Sequence, residues 1–339
     1  MGMKETGRRV ATMSLLVLFS SGCTHNMVRD MAGNGMVSFG NDYITPWFMA
    51  SDDTDVMCAM GEGMGAMTFP LGPATDPMVP MLTLASGMCA DERSKEEELR
   101  YIRALRKNDV EGAQDARTLQ KRWAELSAKR QYFGYQTTVR HFGDPNDGCP
   151  EFDDRNAEMS YMFGLLGGLQ AMQIDLNNGG TAGVSLDVMP KVVKGLDCVN
   201  SEEFWGIPAA VQASISVMKA HANGDRPTVE TGLKELHEAA ERGKAKGVRM
   251  VQLMEATVFS TMGDADKTKA VIRDHVASKK QTPPNPELKI LDEMSTRGIR
   301  LLSDKMWTQA TGQRTPYNEL GTFWDDKKES SALDIDELL

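Results

Sequence analysis

The residues of this chain able to do more than pack are five cysteines, five histidines, a methionine-rich stretch and one acidic loop. His25, His141, His221, His237 and His275 are scattered, with neither HExxH nor any other paired-ligand spacing, so no zinc motif is present. His237 and His275 fall beside the inward stripes of their helices, where a hydrogen-bonded structural role is expected. No cysteine pair has the CxxC spacing of a redox or zinc motif. No GxSxG elbow and no glycine loop leading into a lysine occurs, so the sequence carries no signature of acyl or phosphoryl transfer and reads as a non-enzyme without a cofactor. The acidic loop holds Asp144, Asn146, Asp147, Glu151, Asp153 and Asp154, but its glycine falls one place early for a calcium-binding loop, and a solvated turn is expected. Met57, Met60, Met64, Met67, Met78, Met81 and Met88 offer thioethers that suit Cu(I). Their spacings of three and four are also those of a packed helix face, and no histidine or cysteine pair completes a metal site; core filling is expected.

The stretch SLLVLFSSGCTHNMVRD, residues 14–30, sets the compartment. An apolar run from Val10 to Phe19 follows Lys4, Arg8 and Arg9, and it is too short for the ~20 apolar residues of a membrane span. A basic start, a short apolar run and the small residues Ser20, Ser21 and Gly22 describe a secretory signal peptide over residues 1–22. With Cys23 next, the stretch resembles the lipobox of bacterial lipoproteins, apart from Ser20 where that motif prefers leucine. The resemblance implies that Cys23 becomes a lipidated N-terminus, and Thr24 after it implies the periplasmic face of the outer membrane. Setting Cys23 aside leaves Cys58, Cys89, Cys149 and Cys198, an even number in a compartment that permits disulfides. Three connectivities are possible; Cys58 with Cys89 and Cys149 with Cys198 close the shorter loops, and Cys149 sits in the turn-rich DPNDGCPEFDD. The net charge of −10 disfavours nucleic acid as a partner.

The elements that must position these residues read as almost wholly helical, because apolar spacings follow the 3.6 period rather than strand alternation. Residues 23–45 read as an irregular lipidated tether, 46–310 as one all-helical domain and 311–339 as a mobile polar tail. Helices are expected from Asp52 to Met67 and from Met78 to Asp91, separated by Pro70, Pro73, Pro77 and Pro80. Glu96 to His141 reads as one or two long charged helices with a break near Asn108-Asp109. Residues 160–176, SYMFGLLGGLQAMQIDL, are apolar all round, as in a buried central helix. Gly164 and Gly168 there permit a close backbone approach, and with Met172 they would line a pore or pack a core. After the NNGG turn, Val184 to Val199 reads as a short helix. From Ser201 onward the chain falls into helix pairs joined by Gly-Asp turns, with Val229, Leu233, Leu236 and Ala240 on one face and Ile272 and Val276 inward on another. Such units approach the tetratricopeptide period of about 34 residues, and stacked pairs of this kind make an α-solenoid-like bundle of helical hairpins.

Taken together, MVRDMA behind the lipobox, GLLGGLQAMQIDL, LDVMPKVVKGLDCV, the pair ANGDRPTVETGLKELHEAAERGKAKGVRMVQLMEATVFSTMGD and the last helix PELKILDEMSTRGIRLLSDKM resemble the T-component lipoproteins (TatT) of tripartite ATP-independent periplasmic (TRAP) transporters, over about residues 23–308. The Met-rich N-terminal third, the charged stretch at 92–141 and the four further cysteines depart from that pattern. The resemblance implies an all-helical periplasmic protein that forms a homotrimer around apolar pores, pairs with a periplasmic substrate-binding protein, handles a hydrophobic small molecule and reaches the membrane through its lipid anchor. It supplies no catalytic residues. The competing expectation is a tetratricopeptide-like scaffold lipoprotein for envelope assembly or secretion, with no small ligand.

Overall fold

Five helices begin on an aspartate whose carboxylate accepts from backbone N–H groups of the first turn: Asp53, Asp109, Asp154, Asp225 and Asp264. These caps punctuate an all-α fold seen in a computed structural model that describes residues 26–326, and no strand forms among the described residues. The apolar leader, Cys23, His25 and residues 327–339 lie outside the described residues.

The first helix, α1 (residues 26–39), runs through a π-helical turn, Gly40–Ile44, into α2 (Thr45–Met49). An irregular tether over this stretch is therefore not what forms. The reason lies in small residues: a Cβ on Gly33 would fall 2.7 Å from Ala74 Cβ, and one on Gly40 would fall 2.6 Å from Met78 Cε. The helix thus packs through glycines, which leave no apolar periodicity to read. After α3 (Thr54–Thr68), the proline-rich 3₁₀ segment Phe69–Thr75 turns the chain into α4 (Val79–Arg106) and α5 (Val110–Phe142). Helix α4 does not stop at Asp91; no glycine or proline interrupts residues 92–95, and buried Ser94 bonds across to the Gln120 carbonyl at 3.0 Å. The break falls at Lys107–Asp109, where Asn108 takes a left-handed conformation, as its short side chain tolerates.

Next come α6 (Arg155–Asn178) and α7 (Val188–Leu196), then the pair α8 (Ile207–Asn223) and α9 (Arg226–Ala245), the pair α10 (Met250–Thr261) and α11 (Ala265–Gln281), and α12 (Lys289–Thr311). Gly224 and Gly263 take the positive φ that closes two of these helices into tight Gly-Asp turns. One core runs from Met57 and Leu84 through Met162, Leu165 and Met172 to Leu236 and Ile290, and a smaller cluster of Ala256, Ile272, Ile299 and Phe323 seals the C-terminal end. Phe323 belongs to residues 312–326, which do not form a mobile tail. Lys269 Nζ meets Asp325 at 2.6 Å and lies 4.7 Å from the Trp324 ring centre, and the Trp307 indole donates to the Thr322 carbonyl at 3.0 Å. A few aromatic and charged anchors in a polar sequence hold the segment down, which its low apolar content conceals.

Candidate functional site

The four described cysteines pair as Cys58–Cys89 and Cys149–Cys198, with Cα separations of 5.7 and 5.3 Å. The first ties α3 to α4. The second ties the loop ahead of α6 to the end of α7. That loop is spent on structure: Lys191 Nζ reaches Asp144 Oδ2 at 2.8 Å, Lys194 Nζ reaches the Asn146 carbonyl at 2.7 Å, and Asp154 caps α6. The hydrogen bond from Lys191 holds the Asp144 carboxyl below the usual carboxylate range. No group of three or more His, Cys, Asp and Glu side chains converges as a metal site among the described residues.

Of the candidate pore residues, the structure brings Gly164, Gly168 and Met172 into the core. A Cβ on Gly164 would fall 1.8 Å from Thr138 Oγ1, and one on Gly168 would fall 2.5 Å from Tyr135 Cδ2, so α5 and α6 lie in direct contact along these glycines. Met172 is fully buried with Leu165 and Leu169. Met57 and Met78 are also buried, whereas Met67 is exposed, so the methionine-rich stretch forms no single cluster.

Two clefts stand out on the surface, the first of mixed lining and the second mostly polar. The cleft between α8 and α9 has Ala209 and Ala213 beside Gln212, Ser216, Glu235, Glu238 and Arg242. The other separates α3 and α4 from α12. There Arg297 reaches Glu92 at 2.6 Å and Asp55 at 2.9 Å, and Arg314 pairs with Glu96. Neither cleft has the mostly apolar lining that a small hydrophobic ligand requires.

The densest polar arrangement is internal and joins α10, α11 and α12. Arg249, fully buried at the start of α10, donates to Asp292 Oδ1 at 2.7 Å, to Ser278 Oγ at 2.8 Å, to the Ser278 carbonyl at 2.9 Å and to the Thr282 carbonyl. Its charge thus sits against the last carbonyls of α11 while Asp292 sits in the first turn of α12, the two placements that helix dipoles favour. Asp292 Oδ2 makes no hydrogen bond and faces Lys279 Nζ at 3.6 Å. Beside them, buried His275 has Nδ1 3.0 Å from Gln252 Oε1 and Nε2 3.1 Å from Thr296 Oγ1. Gln252 Nε2 donates to Asp274, so Oε1 is turned to the ring; this assigns the proton to Nδ1 and makes Nε2 an acceptor. Burial first, then the charges of Lys279 and Arg249, push the His275 pKa down to about 3. His237, in contrast, is exposed and meets the buried carboxylate of Glu255 at 3.0 Å. Burial raises the Glu255 pKa, and His237 works against that rise.

Sequence reasoning did not single out Arg249 or Asp292. For Arg249 a signal was present, a lone charge inside the apolar run GVRMV, whereas Asp292 stands beside Glu293 and is not marked out. The partners, 43 residues apart, are not readable from spacing.

Fold and site together define an all-helical protein, a long-helix bundle continued by stacked helix pairs and carrying two cysteine cross-links. Compared with family models, curated proteins and solved structures, the chain matches none.

Proposed function

We propose that the protein is a lipoprotein of the TRAP T-component kind, held by acylated Cys23 on the periplasmic face of the outer membrane, where it docks a periplasmic substrate-binding protein. The observation that carries the reading is the stack α8–α11, whose pairs close in tight Gly-Asp turns and whose second pair is locked to α12 from inside by the Arg249 network. Stacked helix pairs of this kind present an extended, rigid surface of polar helix faces, which suits recognition of another folded protein. The two cysteine cross-links agree with an oxidising compartment. Because neither cleft of a single chain is predominantly apolar, a hydrophobic small molecule would be held between copies, as in a homotrimer.

The second reading is a scaffold for envelope assembly or secretion without a small ligand. It is favoured by the same interior, in which Gly164, Gly168 and Met172 are used up in packing rather than lining a channel.

Native mass spectrometry of the protein extracted from outer membranes, alone and mixed with a TRAP substrate-binding protein of its own source, separates the two. Trimers carrying an apolar adduct and binding the added protein are expected. A bare monomer indifferent to that protein overturns the transport reading and leaves the scaffold. The mass of the N-terminal peptide reports acylation of Cys23 in the same sample.

A further inference from the structure

Helix α1 with its π turn buries one side against the 3₁₀ segment and Met78, and α2 buries Phe48 and Met49 in the main core; both leave the other side open. On the open side stand Met27, Val28, Met31, Phe39, Tyr43 and Trp47, each between 56% and 67% exposed. Steps of four along an α-helix drift by roughly 40° each. The wider π turn at Gly40–Ile44 takes that drift back, so Phe39 and Tyr43 stay in register, their ring centroids 5.4 Å apart, and Trp47 follows one turn on. A row of large apolar side chains in water requires a partner.

We infer that this row lies flat on a bilayer surface, a membrane contact made by the protein itself in addition to the acyl chains. Three observations commit the face to lipid. Its first described residue, 26, is three residues beyond Cys23, a reach of at most about 11 Å, so an acylated Cys23 sets the start of α1 at the headgroups. The row ends in tyrosine and tryptophan, whose amphipathic rings settle at the membrane–water boundary. Its charge is low: Asp42 is exposed, the half-exposed Asp30 is paired with Arg29 at 2.9 Å, and no lysine is present, which fits a surface rich in zwitterionic headgroups. The membrane address and the first of these observations rest on the lipoprotein reading; the exposed row and its aromatic end do not.

The test uses the protein purified from membranes and bound to vesicles of phosphatidylethanolamine and phosphatidylglycerol with brominated acyl chains. Trp47-dependent emission is read as the difference between the native protein and Trp47→Phe. Loss of most of that emission on the vesicles is expected, with recovery in Phe39→Glu/Tyr43→Glu while the protein stays bound through its acyl chains. Unquenched Trp47 on bound protein overturns the inference; if self-association is then lost in the double variant, the face belongs to a second copy. A Cys23→Ser chain at excess vesicle keeps the two readings apart: quenching there supports the face whether or not the native cysteine is acylated, and an unmodified N-terminal peptide sinks the anchor alone.

Discussion

The bundle α3–α6 and the stack α8–α12 are held together by different means. In the bundle α4, α5 and α6 are long, up to 33 residues in α5, and approach through small residues: Gly134 against Thr83, Gly164 against Thr138, Gly168 against Tyr135. Some of their buried hydroxyls close locally, Thr83 on the Val79 carbonyl at 2.7 Å and Thr138 on the Gly134 carbonyl at 3.0 Å, and others reach one neighbouring helix, Ser127 to the Gly87 carbonyl at 2.8 Å. In the stack the helices shorten, to 12 residues in α10, and the buried polar groups reach across the chain, with Arg249 and His275 each joining three helices directly or through one bonded neighbour. The long helices are joined by single hydroxyl-to-carbonyl bonds between α4 and α5, with no buried ion pair of the Arg249–Asp292 kind among their described residues. Short pairs bury less apiece and depend on their neighbours, so directional links between elements carry a larger share of the register.

The largest effect therefore belongs to the stack. Arg249→Ala strands the Asp292 carboxylate in a fully buried site, and a loss of about 3–5 kcal/mol in urea unfolding is expected. Replacing both partners, Arg249→Met with Asp292→Leu, removes both charges at once and restores most of that loss. A single substitution as mild as a surface change, under about 0.5 kcal/mol, would show that the network does not hold the stack.

The bundle has its own fastener. Cys58→Ser/Cys89→Ser opens a loop spanning 31 residues and is expected to cost about 2–4 kcal/mol, through the freedom returned to the unfolded chain and the release of α3 from α4. Hydrogen exchange is the sharper readout. Amides of α3 and the following 3₁₀ segment should open, while those of α10–α12 keep their order of protection. Uniform loss across both regions would erase the distinction between them.

How far the sequence carried follows the same division. In the bundle, composition and spacing placed α3, the buried α6 and the break near Asn108-Asp109, because long amphipathic or wholly apolar stretches advertise themselves. Helix α1 was hidden because its packing residues are Gly33 and Gly40 and its apolar side chains face outward. In the stack, the helix pairs were legible from their Gly-Asp turns and from inward Leu236 and Ile272, but the Arg249–Asp292 link depends on three helices meeting, which no local pattern encodes. Cys58–Cys89 and Cys149–Cys198 were among three possible pairings, and geometry selected the two shorter loops.

A smaller effect separates the regions by pH. His275 is buried neutral, with its pKa at about 3 against 6.5 for the free side chain. The unfolded chain therefore binds a proton that the folded chain refuses. The stabilisation is complete above pH 6.5 and drains away as pH falls toward 3, amounting to about 2 kcal/mol between pH 7 and pH 5. His275→Gln, which can still bond Gln252 and Thr296, should flatten that slope in unfolding curves taken across the window. A slope unchanged in the variant would move its origin to another group.

The smallest predicted effect tests whether a helix end in the stack is coupled more widely than one in the bundle. Asp264 caps α11, accepting from the Lys267 N–H at 3.0 Å, and Asp154 caps α6, accepting from the Ala157 N–H at 2.8 Å. Either aspartate changed to alanine should lower stability by about 1 kcal/mol. What differs is how far the loosening travels. The first turns of α11 carry Thr268 and Lys269, and Lys269 holds the closing segment through Asp325 and the Trp324 ring, so fraying there releases residues 312–326 as well. The first turns of α6 run straight into buried Met159, Tyr161 and Met162, which hold them in place without the cap. Limited proteolysis should therefore cut Asp264→Ala within residues 312–326 under conditions that leave Asp154→Ala intact there. Equal cutting of both variants would mean that the closing segment is fastened independently of α11, and that the stack passes on no more of a local disturbance than the bundle does.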